Sequence, residues 1–170
     1  PDFVVANAGK TTSYGLEANM EALLTDGLTL IANYAYTKCE FKGELIIDSN
    51  GTDIDGNTCR RTPKHAFNIG LNWEHPISDN LSMFAGANYR WSDKYYFDNL
   101  NRDIYKIDSQ SNLDLRAGIQ AADGRWQLMA WAKNATDELN AFNAFELFGT
   151  LYYKYGPPRT YGVTYRHRFN

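Results

Sequence analysis

Polar and apolar residues alternate with a period of two along most of this chain. Phe67, Ile69, Leu71 and Trp73 fall on one side of a run, with Asn68, Gly70, Asn72 and Glu74 on the other. Leu81, Met83, Ala85, Ala87, Tyr89 and Trp91 oppose Ser82, Gly86, Asn88 and Arg90. Leu113, Leu115, Ala117 and Ile119 oppose Asp114, Arg116, Gly118 and Gln120. Tyr161, Val163, Tyr165 and Phe169 oppose Thr160, Thr164, Arg166 and Arg168. A β-strand sends successive side chains to opposite faces, so this pattern predicts sheets with one apolar and one wet face. Seven strands follow, at about 12–24, 28–41, 64–77, 81–95, 110–121, 125–135 and 159–169. Only 139–153 suits a short helical turn, because Leu139, Phe142, Phe145 and Phe148 recur every third residue.

Three short polar turns join strands in pairs: Thr25-Asp26-Gly27, Ser78-Asp79-Asn80 and Ala122-Asp123-Gly124. The other connections are long, aromatic and charged. Short turns at one end and long loops at the other mark the wall of a transmembrane β-barrel. A soluble sandwich would also alternate, but two features separate the cases. Trp73, Trp126 and Phe169 lie near the short-turn end, and Tyr34, Tyr36, Tyr89, Trp91 and Tyr161 lie towards the loops. Between them sit Leu30, Ala32, Ile69, Leu71, Ala85, Ala87, Leu128, Ala130 and Val163. Aromatics at two levels with aliphatics between them form the girdles of a bilayer-spanning surface. Several strands also exceed the ~5–6 residues usual in soluble sheets. The fold class is therefore all-β, an antiparallel transmembrane β-barrel segment. Single-chain bacterial barrels have even strand counts, so seven strands make part of one. The opening Pro1-Asp2-Phe3, with no initiator Met, reads as the start of an internal fragment.

Composition narrows the function. The 170 residues are 15% aromatic, with 12 Tyr, and carry a net charge of −3. Mean hydropathy is negative, and no run approaches the ~18–20 apolar residues of a spanning helix. Lysine and arginine are scattered, which gives no footprint for nucleic acid. Cys39 and Cys59 flank the most polar loop and make a disulfide candidate, with two unrelated thiols as the alternative. His65, His75 and His167 are dispersed, so no nucleophile–base–acid set and no metal site emerge. No enzymatic role and no cofactor are expected. The stretch Asp48-Ser49-Asn50-Gly51-Thr52-Asp53-Ile54-Asp55-Gly56-Asn57 is acidic and Gly-rich, but lacks the glutamate that would complete a calcium loop. It reads better as a solvated loop.

Four motifs resemble those of TonB-dependent receptors. They are Ser13-Tyr14-Gly15-Leu16-Glu17-Ala18; Arg61-Thr62-Pro63-Lys64-His65; Trp126-Gln127-Leu128 with Lys133-Asn134-Ala135-Thr136-Asp137; and Gly156-Pro157-Pro158-Arg159-Thr160-Tyr161-Gly162-Val163 with Arg168-Phe169. Their order and phase span about residues 13–169. The resemblance implies the C-terminal part of a 22-stranded outer-membrane barrel, residues 1–170, without the plug domain and TonB box. It implies energised uptake of a scarce nutrient such as a ferric siderophore, with the TonB-ExbB-ExbD system as partner through the missing N-terminal part. Outer-membrane lipid and the barrel-assembly machinery are the other implied partners. Family members end on an aromatic residue that this machinery reads; here Phe169 is followed by Asn170.

Tyr95, Tyr96, Phe97, Arg102 and Tyr105 sit in one long loop, and Phe142, Phe145, Phe148, Tyr152, Tyr153 and Tyr155 in the next. Aromatic and arginine side chains suit flat, anionic, metal-chelated ligands. Tyr96, Arg102, Tyr152 and Tyr153 are the candidate cargo contacts. Loop self-packing is the competing role. The wet face, with Glu17, Glu21, Asn33, Asn68, Asn72, Arg90, Asp114, Arg116, Gln127, Lys133 and Arg166, would line the lumen and meet the plug. Two other functions fit less of the chain: a soluble β-rich carbohydrate-binding module and a passive porin.

Overall fold

The structure is a computed structural model that describes residues 10–43 and 52–169. Pro1-Asp2-Phe3, the acidic stretch from Asp48 to Gly51 and Asn170 lie outside the described residues.

One seven-stranded antiparallel sheet forms the wall. Its strands are β1 (Lys10–Thr25), β2 (Leu28–Lys42), β3 (His65–Ser78), β4 (Leu81–Ser92), β7 (Gln110–Ala121), β8 (Trp126–Lys133) and β11 (Thr160–His167). They pair in chain order, so the wall is an up-and-down meander. Two small sheets rise above it at the long-loop end. One pairs β5 (Tyr95–Tyr96) with β6 (Lys106–Ile107), and the other pairs β9 (Ala141–Leu147) with β10 (Thr150–Tyr155).

The register keeps the two faces separate from edge to edge. Leu30 pairs with Leu71, Leu71 with Ala87, and Ala87 with Leu115. Leu115 then meets Ala132, and Ala132 meets Tyr161. On the other face Asn33 pairs with Asn68, and Asn68 with Arg90. A slip of one residue anywhere would exchange the faces. Nothing in the described chain covers the apolar side: Ile69 and Leu71 are each 40% exposed and Val163 is 71% exposed. A sandwich would bury these positions beneath a second sheet.

The wet face contains large apolar residues that simple alternation does not foretell. Phe84 lies opposite Gly118, and Trp131 lies opposite Gly162. A Cβ at Gly118 would stand 2.7 Å from the Phe84 ring, and one at Gly162 would stand 2.6 Å from the Trp131 ring. Each aromatic ring thus covers the glycine on a neighbouring strand and fills its missing side chain. The Trp131 indole N–H donates to Thr164 Oγ1 at 3.1 Å, which ties the last wall strand β11 to β8.

Two expectations change. The 139–153 region forms a hairpin, not a helical turn. Leu147 pairs with Thr150, and Phe148 and Gly149 between them have φ values of 51° and 75°. Two successive left-handed residues make the tight turn whose twist suits a hairpin. The three-residue recurrence of aromatics is therefore coincidental to helix geometry. Strand ends are also shorter than expected around β8 and β4. Asn134 takes a φ of 49° and ends β8. After β4, the Asp93 amide turns back to the His65 carbonyl at 2.8 Å.

Candidate functional site

The long-loop end is a second layer of structure built on the wall. The segment after β4 forms β5, a short 3-10 helix at Asp103–Tyr105, and β6. The β9–β10 hairpin packs on it. Phe97, Tyr105, Ile107, Ala141 and Ala144 form a small buried core, with Tyr95 and Leu151 against it. The Tyr105 hydroxyl donates to Glu146 Oε2 at 2.7 Å, and the Tyr153 hydroxyl donates to the Ile104 carbonyl at 2.8 Å. These bonds fasten the hairpin to the neighbouring loop.

The segment following β2 joins the same assembly. Ile54, 1% exposed, packs with Phe41, Cys59 and Leu100. Cys39 and Cys59 are bonded, with their Cα atoms 5.4 Å apart. Asn101 takes a φ of 53° and binds Thr58 twice: its Oδ1 accepts from the Thr58 amide at 2.7 Å and its Nδ2 donates to the Thr58 carbonyl at 2.9 Å. Arg61 reaches both other loops. Its amide donates to the Tyr96 carbonyl at 2.7 Å, its guanidinium donates to Asn143 Oδ1 at 2.7 Å, and its Cζ lies 5.4 Å from the Phe97 ring centroid. Arg61 was not among the candidate contacts. Only its place at the head of the Arg61-Thr62-Pro63-Lys64-His65 strand entry marked it, and nothing in that pattern names its partners.

The motifs at the last two strand ends also meet in space. Asn134 is 3% exposed. Its Nδ2 donates to the Glu138 carbonyl at 2.9 Å and the Pro157 carbonyl at 3.2 Å, while its amide donates to Asp114 Oδ1 at 3.0 Å. Asp137 Oδ1 accepts from the Arg159 amide at 2.8 Å. These residues form the base from which the β9–β10 hairpin rises.

The candidate cargo contacts differ in what remains free. Arg102 donates to Asp98 Oδ2 at 2.7 Å and lies over the Tyr105 ring at 4.4 Å from its centroid. The bond to Asp98 holds the guanidinium still more firmly in its charged form. Tyr153 is tied to Ile104, and Tyr96 pairs with Lys106 across the small sheet. Tyr152 stacks on Phe145 with centroids 5.5 Å apart and remains 46% exposed. Beside this pair Lys154 lies over the Phe142 ring at 5.1 Å. Phe148, at the hairpin tip, is 98% exposed. The exposed side of the hairpin is thus aromatic with one cation. The Glu146 carboxylate holds the Tyr105 hydroxyl above the usual phenol range, and burial adds to this. Burial pushes Tyr95 up as well, against the opposing charge of Arg61.

Below the loops, the wet face forms a concave groove of about 710 Å3, lined by Asn68, Asn72, Asn88, Asp114, Arg116 and Trp131 among others. Arg90 donates to Asn112 Oδ1 and Asp114 Oδ2, both at 2.9 Å. Arg116 donates to Asn72 Oδ1 at 2.7 Å. Gln127 donates to Gln120, which donates to Glu74. Arg166 pairs with Gln127 and lines the lower groove, and Glu17 lies on the same face of β1. Phe169 is 89% exposed beyond β11. Among the described residues no cluster of three or more His, Cys, Asp or Glu is placed to hold a metal ion.

Known proteins share this architecture. The chain is 29% identical over 168 residues to the ferrioxamine receptor of Yersinia enterocolitica, covering 95% of this chain and 21% of that protein. It is 27% identical over 108 residues to an iron-regulated outer membrane virulence protein of Vibrio cholerae, covering 64% of this chain and 15% of that protein. The chain therefore spans only 15% to 21% of the length of these relatives. Among solved structures, the ferric yersiniabactin uptake receptor FyuA of Yersinia pestis matches with a TM-score of 0.84 at 19% identity, over 96% of this chain and 24% of that one. The siderophore receptor PiuA of Acinetobacter baumannii matches with a TM-score of 0.72 at 23% identity, over 92% of this chain and 22% of that one. At these identities the structural likeness speaks for the fold. The family described as TonB-dependent receptor-like β-barrel matches residues 1–135. With its apolar face open, its short turns at one end and its loop assembly at the other, this chain belongs to the β-barrel family of the TonB-dependent receptors.

Proposed function

We propose that the complete protein is a bacterial outer-membrane receptor that imports a ferric siderophore, and that this chain supplies part of its barrel wall and three of its outer loops. The observation that carries the reading is the interlocked loop layer with its exposed aromatic hairpin face. Phe142, Phe145, Tyr152 and Lys154 present flat rings beside a cation. Such a surface suits a chelate that is large, planar in part and anionic. The iron-linked names of the ferrioxamine receptor and the iron-regulated protein support the same cargo class.

Within this reading Tyr152 touches cargo directly. Tyr96, Arg102 and Tyr153 shape the site from behind, since their polar groups or backbone are already engaged in loop contacts. Glu17, Arg90, Arg116 and Arg166 face the plug across the groove. Energy comes from TonB-ExbB-ExbD through the N-terminal part of the receptor. Phe169 is the residue that the barrel-assembly machinery reads. The work is binding and release, with no bond made or broken in the cargo.

The test is uptake of radiolabelled ferric ferrioxamine, and of other labelled ferric siderophores, by cells that express the full-length receptor with and without functional TonB. Uptake of at least one chelate that depends on both receptor and TonB is the expected result. Uptake indifferent to TonB would overturn the proposal.

A further inference from the structure

A single extra residue in β9 decides which face of the hairpin its side chains join. Along the ladder Phe145 pairs with Tyr152, Ala144 with Tyr153 and Asn143 with Lys154, but Tyr155 then pairs with Ala141. Phe142 is left without a ladder partner. It is the extra residue of a β-bulge, which bends its strand and re-aims the side chains around it. Strict alternation from Ala144 would send Phe142 inwards and Ala141 outwards. The bulge reverses the two. Ala141 joins Ala144 in the small core and is 6% exposed. Phe142 stands 51% exposed on the outer side, with Lys154 Nζ 5.1 Å from its ring centroid. Burial of apolar area alone would favour the larger side chain inside. Other contacts must therefore hold the bulge.

Two anchors do so, one on each side of Phe142. From the wall, Gln110 Nε2 donates to the Ala141 carbonyl at 2.7 Å, and the Tyr95 hydroxyl donates to the same oxygen at 3.3 Å. From the segment after β2, the Arg61 guanidinium donates to Asn143 Oδ1 at 2.7 Å. Arg61 is itself fixed at its base. Its φ of 57° is a left-handed conformation that a non-glycine residue keeps only where its surroundings impose it. Its amide bonds to the Tyr96 carbonyl, and its guanidinium lies over the Phe97 ring. A guanidinium can stack on a ring and donate from its edge at once, which an ammonium cannot do.

We propose that Arg61 is a positioning residue of the cargo site. Through Asn143 it holds the β9 bulge that turns Phe142 outwards beside Lys154, and the ring–cation pair so formed takes the anionic rim of the ferric chelate. The ring restrains a long, flexible side chain, which lowers the cost of ordering it when an anion binds. The inference rests on the siderophore reading for its cargo and on the hairpin alone for its geometry. Geometry and uptake are read in separate assays, so failure of one is distinguishable from failure of the other.

Both tests use full-length receptor on intact cells. Phe142→Cys and Ala141→Cys are made singly and labelled with a membrane-impermeant maleimide. With Arg61 in place, Phe142→Cys should react at least roughly tenfold faster than Ala141→Cys. Arg61→Ala keeps the amide bond to Tyr96 and removes only the guanidinium; in that background the two rates should converge. Asn143→Ala should bring the same convergence, and it decides the matter if Arg61→Ala does not assemble, which heat-modifiable mobility on gels reports. Transport is read as uptake of radiolabelled ferric ferrioxamine and of the other labelled ferric siderophores. For a chelate whose uptake depends on TonB, Arg61→Ala should raise the KM about threefold or more with the maximal rate unchanged. In a Phe142→Ala background it should raise the KM no further, because its effect passes through that ring. Equal labelling of Phe142→Cys and Ala141→Cys with Arg61 intact would overturn the proposal. So would a labelling contrast that survives both Arg61→Ala and Asn143→Ala, or a rise in KM that is the same with and without Phe142. Absence of TonB-dependent uptake of any chelate would overturn the siderophore reading instead, and the labelling contrast would still decide whether Arg61 holds the bulge.

Discussion

Arg61 and Tyr105 show how single side chains turn loops into a structured layer. Arg61 bonds to Tyr96 by its amide and to Asn143 by its guanidinium, so one residue spans three loops. Tyr105 is buried beneath Arg102 and donates its hydroxyl to Glu146. The bond to Glu146, with burial, raises its pKa in the folded state, so its contribution is fully present below the unfolded value of about 10 and is lost as pH rises through the folded value. Hydrogen exchange of residues 141–155 should therefore accelerate in a step in the alkaline range. Tyr105→Phe should remove that step and leave residual faster exchange at all pH values. An unaltered alkaline step in Tyr105→Phe would show that another group controls the hairpin. Neither residue could be assigned these partners from sequence, because each reaches a segment about 35–80 residues away.

Among the elements, the wall strands and the loop hairpin differ in what stabilises them. The wall strands pair with near neighbours through three short turns, and their alternation sets the register. Their positions were legible because period-two patterning is a local property. The hairpin β9–β10 was not legible as strands, because its aromatics serve two surfaces at once. Ala144 and Leu151 face the buried core, while Phe145 and Tyr152 stack outside. The disulfide belongs to this level too. It closes a loop whose ends are 20 residues apart, worth on the order of 3 kcal/mol in the chain-entropy model. A Cys39→Ala, Cys59→Ala double variant of the full-length receptor should exchange faster over residues 52–62 and lose cargo affinity. The unfolding midpoint of its barrel should stay unchanged. A barrel midpoint that falls with the loop would mean the bond supports the wall itself.

For the molecule as a whole, the decisive property is that the two faces of one sheet meet different solvents. Leu71 and Asn72 are neighbours on β3 that point to opposite sides. Leu71→Lys should cost about 2–4 kcal/mol at mid-membrane and sharply lower the folded fraction in the outer membrane. Asn72→Lys places the same charge in the wet groove beside Arg116 and should leave assembly largely intact. Similar behaviour of the two variants in heat-modifiability assays would refute the sidedness of the wall.

The residue pattern alone settled which side chains share a face, where the three tight turns fall and that the apolar side bears two aromatic levels. Those features follow from strand geometry and bilayer chemistry, which act within a few residues. Tertiary structure decided that three loops become one layer, that Phe148 and Gly149 close a hairpin, and that Asn134 gathers two distant strand ends. These depend on contacts between segments far apart in sequence, where one residue's partner is chosen by the whole wall beneath it.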